Sequence, residues 1–311
     1  MIKTFFSSLR IIFYLFILVS VYVFYLSRDL PSLERLETFD PAMLSTLYDR
    51  NGEVIGEFYI QKRVFVDIED MPNHLKNAAI ASEDKRFYSH WGVDLQSFFR
   101  AVVVNVSSMS FRQGFSTLSQ QLARNLYKEV GFKDSITRKL KEMITAIQIE
   151  RTYTKDEILE MYLNTVHFGH GTYGAESAAK RFFNKNASDL TIGESAMLIG
   201  LLPSPANYSP LRNLNKAIGR RSIVLKLMYN QDFISYQEYM EHNSIVPDNI
   251  YYEIPKGKAP YFAEHVRRIL EQQDEQLGIN IYQDGLKIYT TLDYKLQKIA
   301  EDSVMQPLKK N

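Results

Sequence analysis

From Ile11 to Leu26 the chain reads IIFYLFILVSVYVFYL, interrupted only by Ser20 and fenced by Arg10 and Arg28. A run of this kind has to be kept from water. Its length sits at the short end of the about 20 residues that a bilayer-spanning helix needs. A cleaved leader would require a small-x-small site after the run, and Tyr25-Leu26-Ser27-Arg28-Asp29 offers none. Lys3 and Arg10 precede the run, whereas Asp29 and Glu34 follow it. The cationic end stays on the cytoplasmic side, so the expectation is an uncleaved signal anchor with everything after Arg28 outside.

The remaining sequence is that of a globular protein. Of 311 residues, 45% are hydrophobic and 23% charged, enough for one large domain or two modest ones. Lys+Arg 37 against Asp+Glu 36 leaves no strongly basic footprint, which excludes a nucleic-acid partner of the usual kind. With Cys 0, disulfide scaffolds, thiolate metal sites and cysteine nucleophiles are excluded together. Tyr 20 and Phe 19 suit amphipathic surface at an interface or in a groove.

Residues 31–40 are a polar stem. The stretch 47–58 alternates around Asn51-Gly52, a strong hairpin signal, and Val64–Ile68 suggests another strand. Pro72 opens a helix over His74–Ser82. Beyond it the pattern is helical. Asp94 and Thr117 are candidate caps, and Thr154 with Glu157 and Thr191 with Glu194 match the capping box. Pro203, Pro205 and Pro210 predict an extended segment, Arg220–Met228 a further helix, and Gly285–Leu292 a strand.

Five stretches carry the chemistry. Glu83-Asp84 closes the small-residue helix and leads into Arg86-Phe87-Tyr88-Ser89-His90-Trp91-Gly92. Ser116-Thr117-Leu118-Ser119-Gln120-Gln121-Leu122-Ala123-Arg124 crowds hydroxyls and amides at a helix start with a cation further along, a natural anion site. In the third, Ile136, Leu140, Met143, Ile144 and Ile147 form an apolar stripe expected to face the core. Glu142 lies off that stripe, four residues from Arg138, so a surface ion pair stands beside a reading as a second functional carboxylate with Arg138 and Lys141 supplying charge. Glu150, on the stripe, is a buried, paired structural acid. The runs 155–169 and 173–179 are architectural, with Glu160 and Asn164 holding a turn.

In order, EDKRFYSHWG, GFSTLSQQLARN, RKLKEMITAIQIE, KDEILEMYLN and TYGAESAA resemble the successive motifs of the family 51 peptidoglycan glycosyltransferases, over roughly residues 40–230. The resemblance implies a mainly α fold: a lysozyme-like helical lobe with a small jaw. An N-terminal transmembrane helix and a short β-containing stem and C-terminal linker complete it. It implies polymerisation of lipid II into β-1,4-linked glycan with release of undecaprenyl diphosphate. Glu83 is then the general base of an inverting displacement and Glu142 the second catalytic glutamate. Ser116, Thr117, Gln120, Gln121, Arg124, Arg138 and Lys141 are then the substrate-binding residues. A divalent cation, Mg or Mn, is compatible with Glu142 and substrate phosphates, and no organic cofactor is implied. Partners would be lipid II, the growing strand, the lipid bilayer and other cell-wall synthesis proteins, at a bacterial inner membrane crossed once.

The sequence departs from the family pattern in three places. It has Gly114-Phe115 before the Ser-Thr where two small residues are usual, and Arg124 where Lys is usual. It has Asp134 where Arg is common, with Lys133 as the nearby cation. By the same resemblance Met109, Phe111 and Phe115 dip into the lipid interface. Residues 259–268 and GLKIYTTLDYKLQKIAE resemble the linker to the transpeptidase of class A penicillin-binding proteins. The one Ser-x-x-Lys, Ser82–Lys85, falls inside the first motif with no partner elements after it. The organisation expected is 1–30 cytoplasmic tail and anchor, 31–72 stem with hairpin, 73–230 glycosyltransferase domain and 231–311 linker without the transpeptidase itself. Two other functions fit parts of the pattern: a lysozyme-like glycan-cleaving enzyme, since paired glutamates also serve hydrolysis, and a non-catalytic cell-wall scaffold.

Overall fold

The computed structural model describes residues 45–58, 65–108, 116–128, 136–247, 250–251, 257–279, 281–282 and 284–308, with 14, 17–18, 21–22, 24–28, 30 and 32–33 of the N-terminal stretch. Met109, Phe111, Gly114, Phe115, Lys133 and Asp134 lie outside the described residues. The chain divides into two compact units, Met1–Phe39 with Arg86–Tyr162, and Asp40–Lys85 with Leu163–Asn311. Described residues of the Ile11–Leu26 run are helical, and Tyr14, Leu18, Phe24 and Tyr25 are exposed. Among the described residues no helix is long and apolar enough to cross a membrane.

In the larger unit, strand Ser45–Tyr48 pairs antiparallel with Val54–Phe58 (Ser45 opposite Phe58) and parallel with Lys287–Tyr289 (Leu47 opposite Ile288). The stem and the linker, separate in the sequence reading, thus build one three-stranded sheet. The hairpin loop is longer than a two-residue Asn-Gly turn. The Asp49 carboxylate accepts from the amides of Asn51 and Glu53, both at 2.8 Å, and Gly52 takes a φ of 81° that favours glycine. Leu47, Ile55 and Phe58 pack with Ala259, Ala263, Ile281 and Tyr282. A Cβ on Gly56 would stand 3.0 Å from that of Ala263, so glycine lets the Pro260–Leu277 helix close on the strand. No regular strand forms over the described residues 65–68.

The larger unit's second core is helical. Helix Ile192–Leu201 is buried all round, from Gly193 to Leu201, against Asn73–Glu83 and Leu214–Tyr229. Its N-terminus is set by the expected capping box of Thr191 and Glu194. Ala78, Ala79 and Ala81 keep the facing helix close, and Gly200 lies against the backbone of Arg220 and Arg221. After Leu201 the prolines form one helical turn, Pro205–Tyr208, where an extended segment was expected. Pro is at home in a first helical turn. Asn164 clamps Val66 from both sides, its Oδ1 accepting from the amide at 3.0 Å and its Nδ2 donating to the carbonyl at 2.9 Å.

In the smaller unit, helix Leu118–Lys128 packs against Ile136–Thr152. The Asp94 carboxylate accepts from the Ser97 amide before helix Leu95–Ser108, and Thr117 Oγ1 accepts from the Gln120 amide, as expected of caps. The face of Ile136–Thr152 that turns inward is not the apolar stripe. Lys141, Glu142, Thr145, Ala146 and Ile149 are buried, while Leu140, Met143, Ile144 and Ile147 are half-buried. Gly92 helps fix this rotation. A Cβ there would meet the Ala146 carbonyl oxygen at 2.7 Å, so the loop's backbone lies directly on the helix.

Candidate active site

The rotation of Ile136–Thr152 carries Glu142 out of solvent. Its exposure is 0%, and three cations converge on it: Arg124 Nε at 3.3 Å, Arg138 Nε at 3.2 Å and Lys139 Nζ at 3.2 Å. The surface pair with Arg138 expected from the sequence is therefore one edge of a buried cluster. A carboxylate taken from water loses several kcal/mol of solvation, and one cation seldom restores it. Three do so. Burial pulls the Lys139 ammonium below its usual pKa, with Arg124 and Arg138 pushing the same way and Glu142 opposing.

Polar groups line up beside these charges. Lys139 Nζ donates to Ser116 Oγ at 2.7 Å and to Gln120 Oε1 at 3.2 Å. Gln120 is fully buried, and its Nε2 donates to nothing among the described residues. A buried amide donor without an acceptor costs about 1–3 kcal/mol, so an acceptor from outside would be welcome there. The arrangement of three cations, a hydroxyl and an orphaned amide is suited to an anion with several acceptor oxygens.

Of the residues expected at the site, Ser116, Gln120, Arg124, Arg138 and Glu142 are brought together, and Lys141 is buried on the same helix. Thr117 and Gln121 are engaged by the scaffold instead. Thr117 Oγ1 donates to the Gly92 carbonyl at 2.7 Å, and Gln121 Oε1 accepts from the Tyr162 hydroxyl at 3.1 Å. Lys139 was missed, although its place three residues before Glu142 on a helix is the signal that would have found it. Glu150 is paired as expected, accepting from Lys155 Nζ at 2.7 Å and Ser119 Oγ at 2.6 Å.

Glu83 belongs to the larger unit, half-buried at the C-terminal end of helix Asn73–Glu83, and takes a long 3.4 Å hydrogen bond from Ser82 Oγ. Asp84 ends the helix, buried, its amide on the Ile80 carbonyl. His90 and Gly92 shape the following loop: His90 Nδ1 accepts from the Gly92 amide at 3.1 Å. Both Glu142 oxygens face cations, and among the described residues no group of three or more His, Asp or Glu side chains could hold an ion.

The chain is thus mainly helical with a small sheet, and it buries a carboxylate among three cations. The sequence profile of the Transglycosylase family matches residues 51–229, and the chain belongs to that family, the family 51 peptidoglycan glycosyltransferases. It is 39% identical to penicillin-binding protein 1A of Neisseria meningitidis serogroup B over 94% of this chain and 36% of that protein. It is 36% identical to penicillin-binding protein 1A of Aquifex aeolicus over 97% of this chain and 41% of that one. A crystal structure of penicillin-binding protein 1A from Haemophilus influenzae aligns at TM-score 0.42 and 24% identity, over 83% of this chain and 28% of that one. The chain thus spans well under half the length of the curated relatives it matches.

Proposed function

We propose that the protein is a peptidoglycan glycosyltransferase that polymerises lipid II into β-1,4-linked glycan, releasing undecaprenyl diphosphate. The observation that carries this reading is the convergence of three cations on the buried Glu142, with a Gln120 amide beside it that lacks an acceptor among the described residues. A diphosphate leaving group needs such donors, because its charge grows as the glycosidic bond breaks. A neutral glycan, the substrate of a hydrolase, has no use for three cations.

In this mechanism Glu83 takes the proton from the 4-hydroxyl of the acceptor sugar as that oxygen attacks the donor's anomeric carbon. Attack opposite an α-linked diphosphate gives the β-linked product in one inverting step. Arg124, Arg138 and Lys139 receive the departing diphosphate, and Ser116 and Gln120 donate to its oxygens. Glu142 holds the three cations together and keeps their repulsion from opening the site. No step requires a metal.

The substrate's lipid tail places the reaction at a bilayer, with the chain anchored by its N-terminal run and the catalytic part outside the cytoplasmic membrane. Exposed apolar side chains support this: Tyr14, Leu18, Phe24 and Tyr25 on the N-terminal helical residues, and Leu95, Phe99 and Val103 at one-turn intervals on helix Leu95–Ser108. The test is lipid II polymerisation by wild type and Glu83→Gln. Loss of a positioned base should slow glycan formation about 10²–10⁴-fold. Equal rates would remove Glu83 from the mechanism.

A further inference from the structure

The larger unit holds a second site for a charged ligand, unrelated to the Glu142 cluster. A cavity of about 200 Å³ opens between the N-terminal turn of helix Ile192–Leu201, helix Leu214–Tyr229 and the end of helix Tyr236–Ser244. Arg221 lines it, with Lys185, Glu194 and His242, and Phe183 and Met197 give it apolar walls. Its size falls below the roughly 300–1,000 Å³ of pockets for drug-sized molecules, so its occupant has few heavy atoms.

Arg221 is the unusual member. It is 3% exposed, yet its hydrogen bond among the described residues goes to one backbone carbonyl, that of Asn243 at 3.2 Å, and its Nε has no acceptor. A guanidinium does not escape burial by losing its proton, so an unpaired one costs several kcal/mol. The carboxylate on the cavity wall does not supply the missing partner. Glu194 is taken up by Lys185 Nζ at 2.8 Å and by the Thr191 amide at 2.8 Å. With that pair neutral, Arg221 is the remaining charge among the described residues that line the cavity, beside a histidine and the positive end of a helix dipole.

We propose that this cavity binds a small monocarboxylate with a short aliphatic part, held by the Arg221 guanidinium with its carbon chain against Phe183 and Met197. A carboxylate matches the planar fork of a guanidinium, supplies the single negative charge that is wanting, and brings the acceptor that Nε lacks. Such a group is found on a free short-chain acid and at the C-terminus of a short peptide.

The full chain in detergent tests this by calorimetric titration with propionate and N-acetylalanine, with propionamide and sodium chloride as controls. Both carboxylates should bind, neither control should, and Arg221→Lys should weaken binding at least about tenfold, because lysine keeps the charge and loses the fork. Tighter binding of N-acetylalanine identifies a peptide terminus as the source, and tighter binding of propionate a free acid. Arg221→Met should abolish binding, and should that variant fail to fold, Arg221→Lys still decides. Equal binding of propionamide, tighter binding of inorganic phosphate, or unchanged affinity in Arg221→Lys would each overturn the proposal. None of these readouts depends on glycosyl transfer.

Discussion

Two buried charge clusters, one in each unit, are made of the same residue types and balanced differently. Around Glu142, one carboxylate faces three cations. In the larger unit Arg267 lies 7% exposed between two carboxylates. It donates to Glu264 through Nε at 2.7 Å and Nη2 at 2.6 Å, and to Glu271 through Nη1. Arg268 completes Glu264, and Arg212 and the Tyr282 hydroxyl complete Glu271. There three arginines and a hydroxyl share two carboxylates, so both carboxylates are fully bonded and the network is closed in that sense; it ties the Pro260–Leu277 helix to Arg212 and Tyr282. The Glu142 cluster has one carboxylate for three cations and a Gln120 Nε2 with no acceptor among the described residues, and in that sense it is open.

The contrast is tested most severely by breaking the closed network. Arg267→Met leaves the half-buried Glu264 and Glu271 without their shared partner, and urea unfolding should show a loss of about 3 kcal/mol, the lower end of the cost of breaking a buried pair. A loss below about 1 kcal/mol would mean that the network is not closed in the sense argued. Acid should erode the same network. Burial pushes Glu264 up, but the bonds and charges of Arg267 and Arg268 outweigh it and hold the carboxyl at about 2, against a usual value of 4.5. A depressed carboxylate stabilises the fold above its unfolded pKa, and that stability fades as pH falls through the folded one. Unfolding free energy should therefore drop between about pH 5 and pH 2, by up to roughly 3 kcal/mol from this group. In Arg267→Met the drop over that window should shrink.

In the smaller unit, Gly92→Ala should cost about 2 kcal/mol or more, since φ is 102° and the added Cβ would sit 2.7 Å from the Ala146 oxygen. The smallest change in stability is expected at the open cluster. Lys139→Gln removes one of three mutually repelling cations and should shift stability by less than about 1 kcal/mol.

These outcomes bear on what a sequence discloses. Caps and hairpin were legible because their signals are local. Asp94, Thr117 and the Thr191–Glu194 box act within one turn, and the Asn51-Gly52 loop within a few residues. The inward face of Ile136–Thr152 was not legible, because hydrophobic periodicity points to Ile136 and Ile144, while the packing is decided by Gly92 and by Arg124 from another helix. Glu142 was found through the family's motifs, and its burial was not foreseen. Lys139 was hidden by its neighbours in a run of four charges. The sheet that joins stem to linker rests on a pairing of Leu47 with Ile288, a separation that no local pattern encodes.

The central claim is that the open cluster exists to receive a diphosphate, and Lys139 tests it most directly because the closed network offers no role for it. The measurement is the rate of lipid II polymerisation by Lys139→Gln, with urea unfolding run alongside. The prediction is a fall of about a hundredfold or more in rate, the scale of losing one preorganised donor, with stability kept within about 1 kcal/mol. A rate within about twofold of wild type would contradict the account, because an ammonium bonded to Ser116, Gln120 and Glu142 would then be part of the packing alone.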